Sequence, residues 1–188
     1  SKDGTKQLLN KMLLIFKNLK YLSRKTKPRD LSKSCVLGFN KSKYNNILVM
    51  DGDLQHGPKE INHLYSVFLK KHCDVVVGSR NLFKKKQKGL RFYRLVISIL
   101  LIIIVNIILG FKTADPMSGF FVFKKKLYLK NKKFLFNRGY KILLDLIYSS
   151  KKKLKILDVD INFRSRSEGS SKMSFKVIYF LVLMISQK

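Results

Sequence analysis

The chain has 188 residues, 46% apolar and 12% aromatic, which suits one domain with a buried core and excludes a disordered polymer. Its 40 Lys+Arg against 11 Asp+Glu give a formal charge of +29, which points to a polyanionic partner, either nucleic acid or an anionic membrane. Cys35 and Cys73 lie far apart, with no CxxC pair and no histidine at ligand spacing, which excludes a structural zinc site and indicates a reducing compartment.

Ser1 to Thr5 is polar and turn-like and carries no signal-peptide core. Leu8, Leu9, Met12, Leu13, Phe16 and Leu19 recur at helical spacing and predict an amphipathic helix over 6–22, capped by Asp3 or Thr5. An α/β domain rarely opens on a helix, so the chain is expected to be cut ahead of Ser1. LSKSCVLGFNKS (31–42) predicts a second helix ending near Gly38 or Asn40. ILVMD (47–51) is an apolar run stopped by turn residues, as expected of a buried parallel strand. Pro58 opens the next helix, with Ile61, Leu64, Tyr65 and Phe68 on its buried face, and DVVVGS (74–79) is a second buried strand. Strand, helix and strand in that order predict a right-handed parallel crossover.

LVISILLIIIVNIILGF (95–111) is the most apolar stretch and fits a core, interfacial or transmembrane helix. Strand-like segments come after it at 119–125 and 156–163, with a helix at about 138–150 between them. A sheet that resumes beyond 95–111 needs both flanks on one side of a membrane, which favours a helix packed on the domain or lying in the interface. The apolar segment 174–188 stops abruptly and is expected to be a membrane-associated helix, itself cut short. Residues 1–173 are thus expected to form the catalytic domain.

The candidate chemistry begins at DGDLQ (51–55), directly after the first strand. Carboxylates at i and i+2 on the carboxyl edge of a parallel sheet can converge on one hard cation, which would neutralise a leaving diphosphate. An isolated DxD is more often a solvated Asx-turn, since Asp and Gly are ordinary turn residues. An EF-hand does not fit, because His56 stands where its glycine belongs and Asn62 where its glutamate belongs. Further along, VVVGSRN ends at Arg80 and its neighbour, and RFYRLVIS puts Arg94 and Ser98 on one helix face. ADPMSGFFVF carries Asp115 and the small Ser118-Gly119 pair, and RSRSEGSSKMS sets Arg166 and Lys172 around Gly169. An acidic metal site with several fixed cations suits two phosphorylated substrates meeting.

GFNKS, VMDGDLQHGPKEI, VVVGSRN, ADPMSGFFVF and R-x-x-G-x-S-K, preceded by DGT, occur in an order that resembles family 2 glycosyltransferases of the dolichyl-phosphate mannosyltransferase type. The resemblance implies an α/β GT-A fold, Rossmann-like, with a mostly parallel sheet and apolar membrane-interface helices. It implies Mg²⁺ or Mn²⁺ at Asp51, Asp53 and Gln55, with Asp51 and Asp53 also meeting the donor diphosphate. Arg80, Arg94 and Ser98 resemble the acceptor-phosphate cradle, and Asp53, Arg80 and Arg94 the catalytic set. Arg166 and Lys172 resemble the loop closing over the donor, and Asp3 the tail of the nucleotide-binding segment. The family's first strand and the acidic pair ahead of SKDGT are absent, and Gly57 replaces the first of two prolines.

The resemblance further implies transfer of a hexose to a polyprenyl or dolichyl phosphate with inversion, the leading donor being GDP-mannose. UDP-glucose or a UDP-aminosugar is the alternative within the family. The expected partners are a nucleotide-sugar donor, a polyprenyl-phosphate lipid and an anionic membrane surface, and the expected location is the cytoplasmic face of a membrane. A basic nucleic-acid-binding module predicts aromatics interleaved with basic residues. Here the basic runs at 84–88, 124–133 and 151–155 flank apolar segments instead, so no nucleic acid is expected. A catalytically dead membrane-associated fragment is the remaining alternative.

Overall fold

The computed structural model describes residues 4–24, 30–53, 55–80, 92–161 and 175–187. Their elements, in chain order, are α1 (Thr5–Ile15), α2 (Leu31–Lys41), β1 (Asn46–Val49), α3 (Pro58–Lys71), β2 (Val75–Arg80), α4 (Phe92–Leu109), β3 (Phe121–Lys124), α5 (Lys125–Asn131), α6 (Ile142–Tyr148), β4 (Ile156–Ile161) and α7 (Phe175–Ile185). A single 3₁₀ turn, Lys132–Phe134, comes directly after α5.

The four strands lie in the order β1-β3-β2-β4. β3 is antiparallel to both neighbours, with Val49 and Val77 each opposite Phe121, whereas β2 and β4 are parallel from Val75 beside Ile156 to Arg80 beside Ile161. Three of the four strands therefore run one way, and their carboxyl ends share one edge of the sheet. The expected β1–α3–β2 crossover joins strands of the same direction that are not neighbours, because β3 slots between them.

Side chains alternate across the sheet as a period of two requires. Val75, Val77, Phe121 and Phe123 face Phe39 of α2, Leu127 of α5 and Leu143 and Leu146 of α6. Val76, Phe120 and Val122 face Leu64 and Phe68 of α3. The result is a sheet covered by helices on both faces, the arrangement expected when strands read as near-continuous apolar runs.

Helix boundaries depart from expectation where packing is lacking. α1 stops at Ile15, not residue 22, with Phe16 in an extended conformation. None of its residues is buried, so no packing gain supports a longer helix. Gly4, in a left-handed conformation, takes its N-cap position and Thr5 opens the helix, while Asp3 lies outside the described residues. α2 runs through Gly38 to Lys41 because its far face packs on the sheet through Phe39. Asp30 caps it by accepting from the Lys33 amide at 3.1 Å, and its second oxygen accepts from the Gly139 amide at 2.8 Å. Pro58 takes the first position of α3 as expected, but Tyr65, expected on the buried face, is exposed.

α4 is one helix seated on the domain. Its Ile102 and Val105 pack with Leu181 and Met184 of α7, Leu144 of α6 and Met117. Its end is clasped to α6: the Tyr148 hydroxyl donates to the Gly110 carbonyl at 2.5 Å, and Lys112 Nζ donates to the Ile147 carbonyl at 3.1 Å. The opposite stripe, Leu100, Ile103, Ile104, Ile107 and Ile108, is exposed. Among the described residues, no helix is long and apolar enough to cross a membrane.

Candidate active site

The carboxyl edge of the sheet gathers three segments that sequence alone left separate. The turn after β1 carries Asp51 and Asp53, β2 ends at Arg80, and β3 enters through Ser118, Gly119 and Phe120. The Asp51 carboxylate lies directly on Gly119: a Cβ placed at 119 would meet Asp51 Oδ2 at 2.5 Å and Cγ at 3.0 Å. Only glycine leaves room for that carboxylate at the mouth of β3. Asp53 turns back on itself, its Oδ1 accepting from the Gln55 amide at 3.3 Å. Asp51, Asp53 and Gln55 are all half-buried.

The floor beneath them is fixed by short-range polar contacts. Ser118 Oγ donates to the Gly78 carbonyl at 2.7 Å and accepts from the Phe120 amide at 3.1 Å. The Gly78 amide donates to the Phe120 carbonyl at 2.9 Å, and a Cβ at 78 would meet Phe120 Cδ1 at 2.5 Å. The glycine of VVVGSRN thus makes room for Phe120, and that of ADPMSG for the Asp51 carboxylate. His56, buried, stacks on Phe120 with ring centroids 4.2 Å apart, so it shapes the turn.

Asp115 is wholly buried; its amide donates to Thr113 Oγ1 at 3.4 Å and its carbonyl accepts from the Ser118 amide at 3.1 Å. The loop is held from the other side by Asp158 of β4, which accepts from the Thr113 hydroxyl and, at 2.9 Å, from the Ala114 amide. Burial pushes the Asp158 carboxyl above its ordinary range, the charges of Asp115 and Asp160 add to that, and the two hydrogen bonds oppose it. Sequence reasoning missed Asp158. Its only signal was a carboxylate alternating with apolar residues in LDVDI.

Arg80 closes β2, and Arg94 and Ser98 lie one turn apart in α4; the side chains of all three fall outside the described residues. Asp3, Arg166 and Lys172 also lie outside the described residues. Among the described residues no group of three His, Cys, Asp or Glu side chains is gathered as a metal cage. The donors that are present, two carboxylates and an amide carbonyl on one turn, are hard oxygen ligands of the kind Mg²⁺ and Mn²⁺ take when substrate oxygens complete the shell. Cys35 offers no nucleophile: burial first, then the charges of Asp51 and Asp30, push its thiol up to about 11.

Residues 1–131 match the family model described as glycosyl transferase family 2. The chain belongs to that family. It is similar to three proteins named dolichol-phosphate mannosyltransferase. That of Pyrococcus furiosus is 34% identical over 83% of this chain and 44% of its own length. That of Mycosarcoma maydis is 29% identical over 95% of this chain and 60% of its own length, and that of Saccharomyces cerevisiae 32% identical over 95% and 67%. The chain spans about half to two thirds of the length of these relatives. Among solved structures, the GT-A fold is shared with glucosyl-3-phosphoglycerate synthase from Mycobacterium tuberculosis. In complex with phosphoglyceric acid it gives a TM-score of 0.58 at 15% identity, covering 86% of this chain and 57% of that one. In complex with Mn²⁺, UDP-glucose and glycerol 3-phosphate it gives 0.54 at 17% identity, covering 85% and 52%.

Proposed function

We propose that the protein transfers a hexose, with mannose from GDP-mannose leading, to a polyprenyl or dolichyl phosphate with inversion at the anomeric carbon. The observation that carries this reading is the Asp51 carboxylate lodged on Gly119 at the carboxyl edge of the sheet, which joins the DGD turn to the ADPMSG segment. The similarity to three proteins named dolichol-phosphate mannosyltransferase supports the choice of sugar and acceptor.

Asp51, Asp53 and Gln55 are the residues that would hold Mg²⁺ or Mn²⁺, which supplies neutralisation of the donor diphosphate as it leaves. The remaining demand is small. A phosphate monoester has a second pKa of about 6, so the acceptor is already largely dianionic near neutral pH and needs no strong general base. That agrees with a site where His56 is stacked on Phe120 and Cys35 stays a thiol. What the acceptor does need is cations to hold its phosphate in line behind the anomeric carbon. Arg80, Arg94 and Ser98 are assigned that task, and Arg166 with Lys172 the closure over the donor, with Asp3 near the nucleoside. The exposed apolar stripe of α4, with Tyr179 and Val182 of α7, suits a membrane interface in which a lipid tail would lie.

Separate titration of nucleotide and short-chain polyprenyl phosphate tests the division of labour. Losing one charge-assisted phosphate contact costs on the order of 1.5–3 kcal/mol, roughly ten- to hundredfold. Arg94→Ala is expected to weaken acceptor use by that factor with nucleotide binding nearly unchanged, and Arg166→Ala to do the reverse. If Arg94→Ala cuts nucleotide affinity as severely as acceptor use, the arginines form one donor clamp and the two-cradle assignment is wrong.

A further inference from the structure

The edge of the sheet opposite the candidate active site carries a second concentration of charge. A cavity of about 350 Å³ opens where β3 ends and β2 and β4 begin. Six of the twelve residues lining it are lysines: Lys124, Lys126, Lys130, Lys151, Lys152 and Lys153. They come from two basic runs some twenty residues apart, which the fold brings onto one hollow. β2 separates this edge from Arg80 by six residues, roughly 17–20 Å at strand rise.

One carboxylate, Asp74, lines the same cavity, and it is already committed. Its side chain accepts from Lys124 Nζ at 3.0 Å and from the Lys155 amide at 3.1 Å, which pins the end of β3 to the approach of β4. Burial alone would raise the Asp74 carboxyl, but those hydrogen bonds and the charges of Lys124 and Lys126 outweigh it and hold it below the ordinary range. Six cations against one anion leave an excess of five positive charges among the lining residues, which a bound polyanion would offset.

We propose that this cavity is a second anion site that takes a phosphate ester or diphosphate. The lining explains the class of ligand. Lysine ammonium groups are point-charge donors that can converge on several phosphate oxygens from different directions. Leu127 and Leu154 give the hollow an apolar part, which suits a phosphate carried on a short apolar stem. Single-stranded nucleic acid binds basic grooves by stacking bases on free aromatic faces. Here the one aromatic ring in the lining, Phe134, has Lys133 and Lys151 over it, with Nζ 5.1 and 5.0 Å from its centroid. The size of the hollow also matches a headgroup better than a duplex. The site stands on its own lysines and does not depend on the assignment at the other edge of the sheet.

The test measures binding of pyrophosphate by calorimetry, and co-flotation with phosphatidylcholine vesicles with or without 20% phosphatidylinositol 4-phosphate (a probe composition). A variant with Lys126, Lys130, Lys151, Lys152 and Lys153 all changed to Gln is compared with one in which the exposed Lys6, Lys11, Lys17, Lys41 and Lys43 are changed to Gln. A third variant changes the cavity lysines to Arg, which keeps charge and reports on folding. The cavity-Gln variant is expected to lose at least about tenfold in affinity, the remote-Gln variant less than about twofold, and the Arg variant little. Loss confined to the pyrophosphate arm identifies a soluble phosphate, and loss confined to the vesicle arm identifies a lipid headgroup. Equal losses in the two Gln variants, or no binding by the unmodified protein in either arm, would overturn the proposal.

Discussion

Gly119 governs how close the Asp51 carboxylate can come to the start of β3, and its effect is large for one missing methyl group. A Cβ at 2.5 Å from Oδ2 forces either the carboxylate or the strand to move. Gly119→Ala is therefore expected to lower sugar transfer at least about tenfold and to cost about 1–3 kcal/mol of stability, as overpacking does. Steady-state rates and a urea melt on the same sample check both numbers. Asp53 lies on the same turn, where its carboxylate accepts from the Gln55 amide of its own segment. Asp53→Ala is expected to abolish transfer while shifting the melting temperature by only a few degrees, about what a 1 kcal/mol change produces. Near-normal transfer with Mg²⁺ or Mn²⁺ after that change would contradict the metal assignment. Asp51 and Asp53 were legible in the sequence because two carboxylates right after an apolar run signal a strand end. Asp158 and Asp145 were not. Asp158 meets Thr113 and Ala114 more than forty residues away, and buried Asp145 accepts from the Phe136 and Asn137 amides at 2.9 Å. Nothing local distinguishes such carboxylates from surface ones, since their partners exist only after folding.

At the scale of elements, strand identity was readable and strand order was not. Apolar runs at 47–51, 74–79, 119–125 and 156–163 correspond to β1 to β4. That β3 inserts antiparallel between β1 and β2 depends on α4 returning the chain to the middle of the sheet, which no local pattern encodes. The short α5 and the 3₁₀ turn after it were also unforeseen, because their lysine-rich sequence reads as a solvated run. Asp74 is one of the contacts that hold this order, tying Lys124 at the end of β3 to Lys155 ahead of β4. Its carboxyl is held below the ordinary range, so its stabilisation is present above the unfolded value of about 3.9 and is lost as pH falls through the folded value. Asp74→Asn is expected to cost about 0.5–1 kcal/mol at neutral pH, the pair being partly exposed and screened. Urea melts across a pH series should show that gap closing once the pH drops below the folded value. A gap that persists in acid would assign the effect to the amide substitution and not to the charge.

Over the whole molecule, charge and apolar surface divide the work. The carboxyl edge of the sheet carries the DGD turn, the opposite edge carries a lysine cavity, and the outer stripe of α4 presents uncovered isoleucines. Ile107, at 76% exposure, is more than a scattered surface apolar residue, because it continues the stripe of α4, and Phe111, two residues past the helix end, is exposed as well. Under the proposed function, part of the +29 charge would serve two phosphorylated substrates and a negative lipid surface. The proposed reaction is transfer from a nucleotide sugar to a lipid phosphate with inversion. Incubating the protein with GDP-mannose, Mn²⁺ and a short-chain polyprenyl phosphate in detergent micelles, and assigning the anomer of the lipid product by NMR, tests it most directly. The expected product is a β-linked polyprenyl-phosphate mannose, absent when polyprenol replaces its phosphate or when EDTA is added. An α-linked product, or equal transfer to the unphosphorylated alcohol, would contradict it.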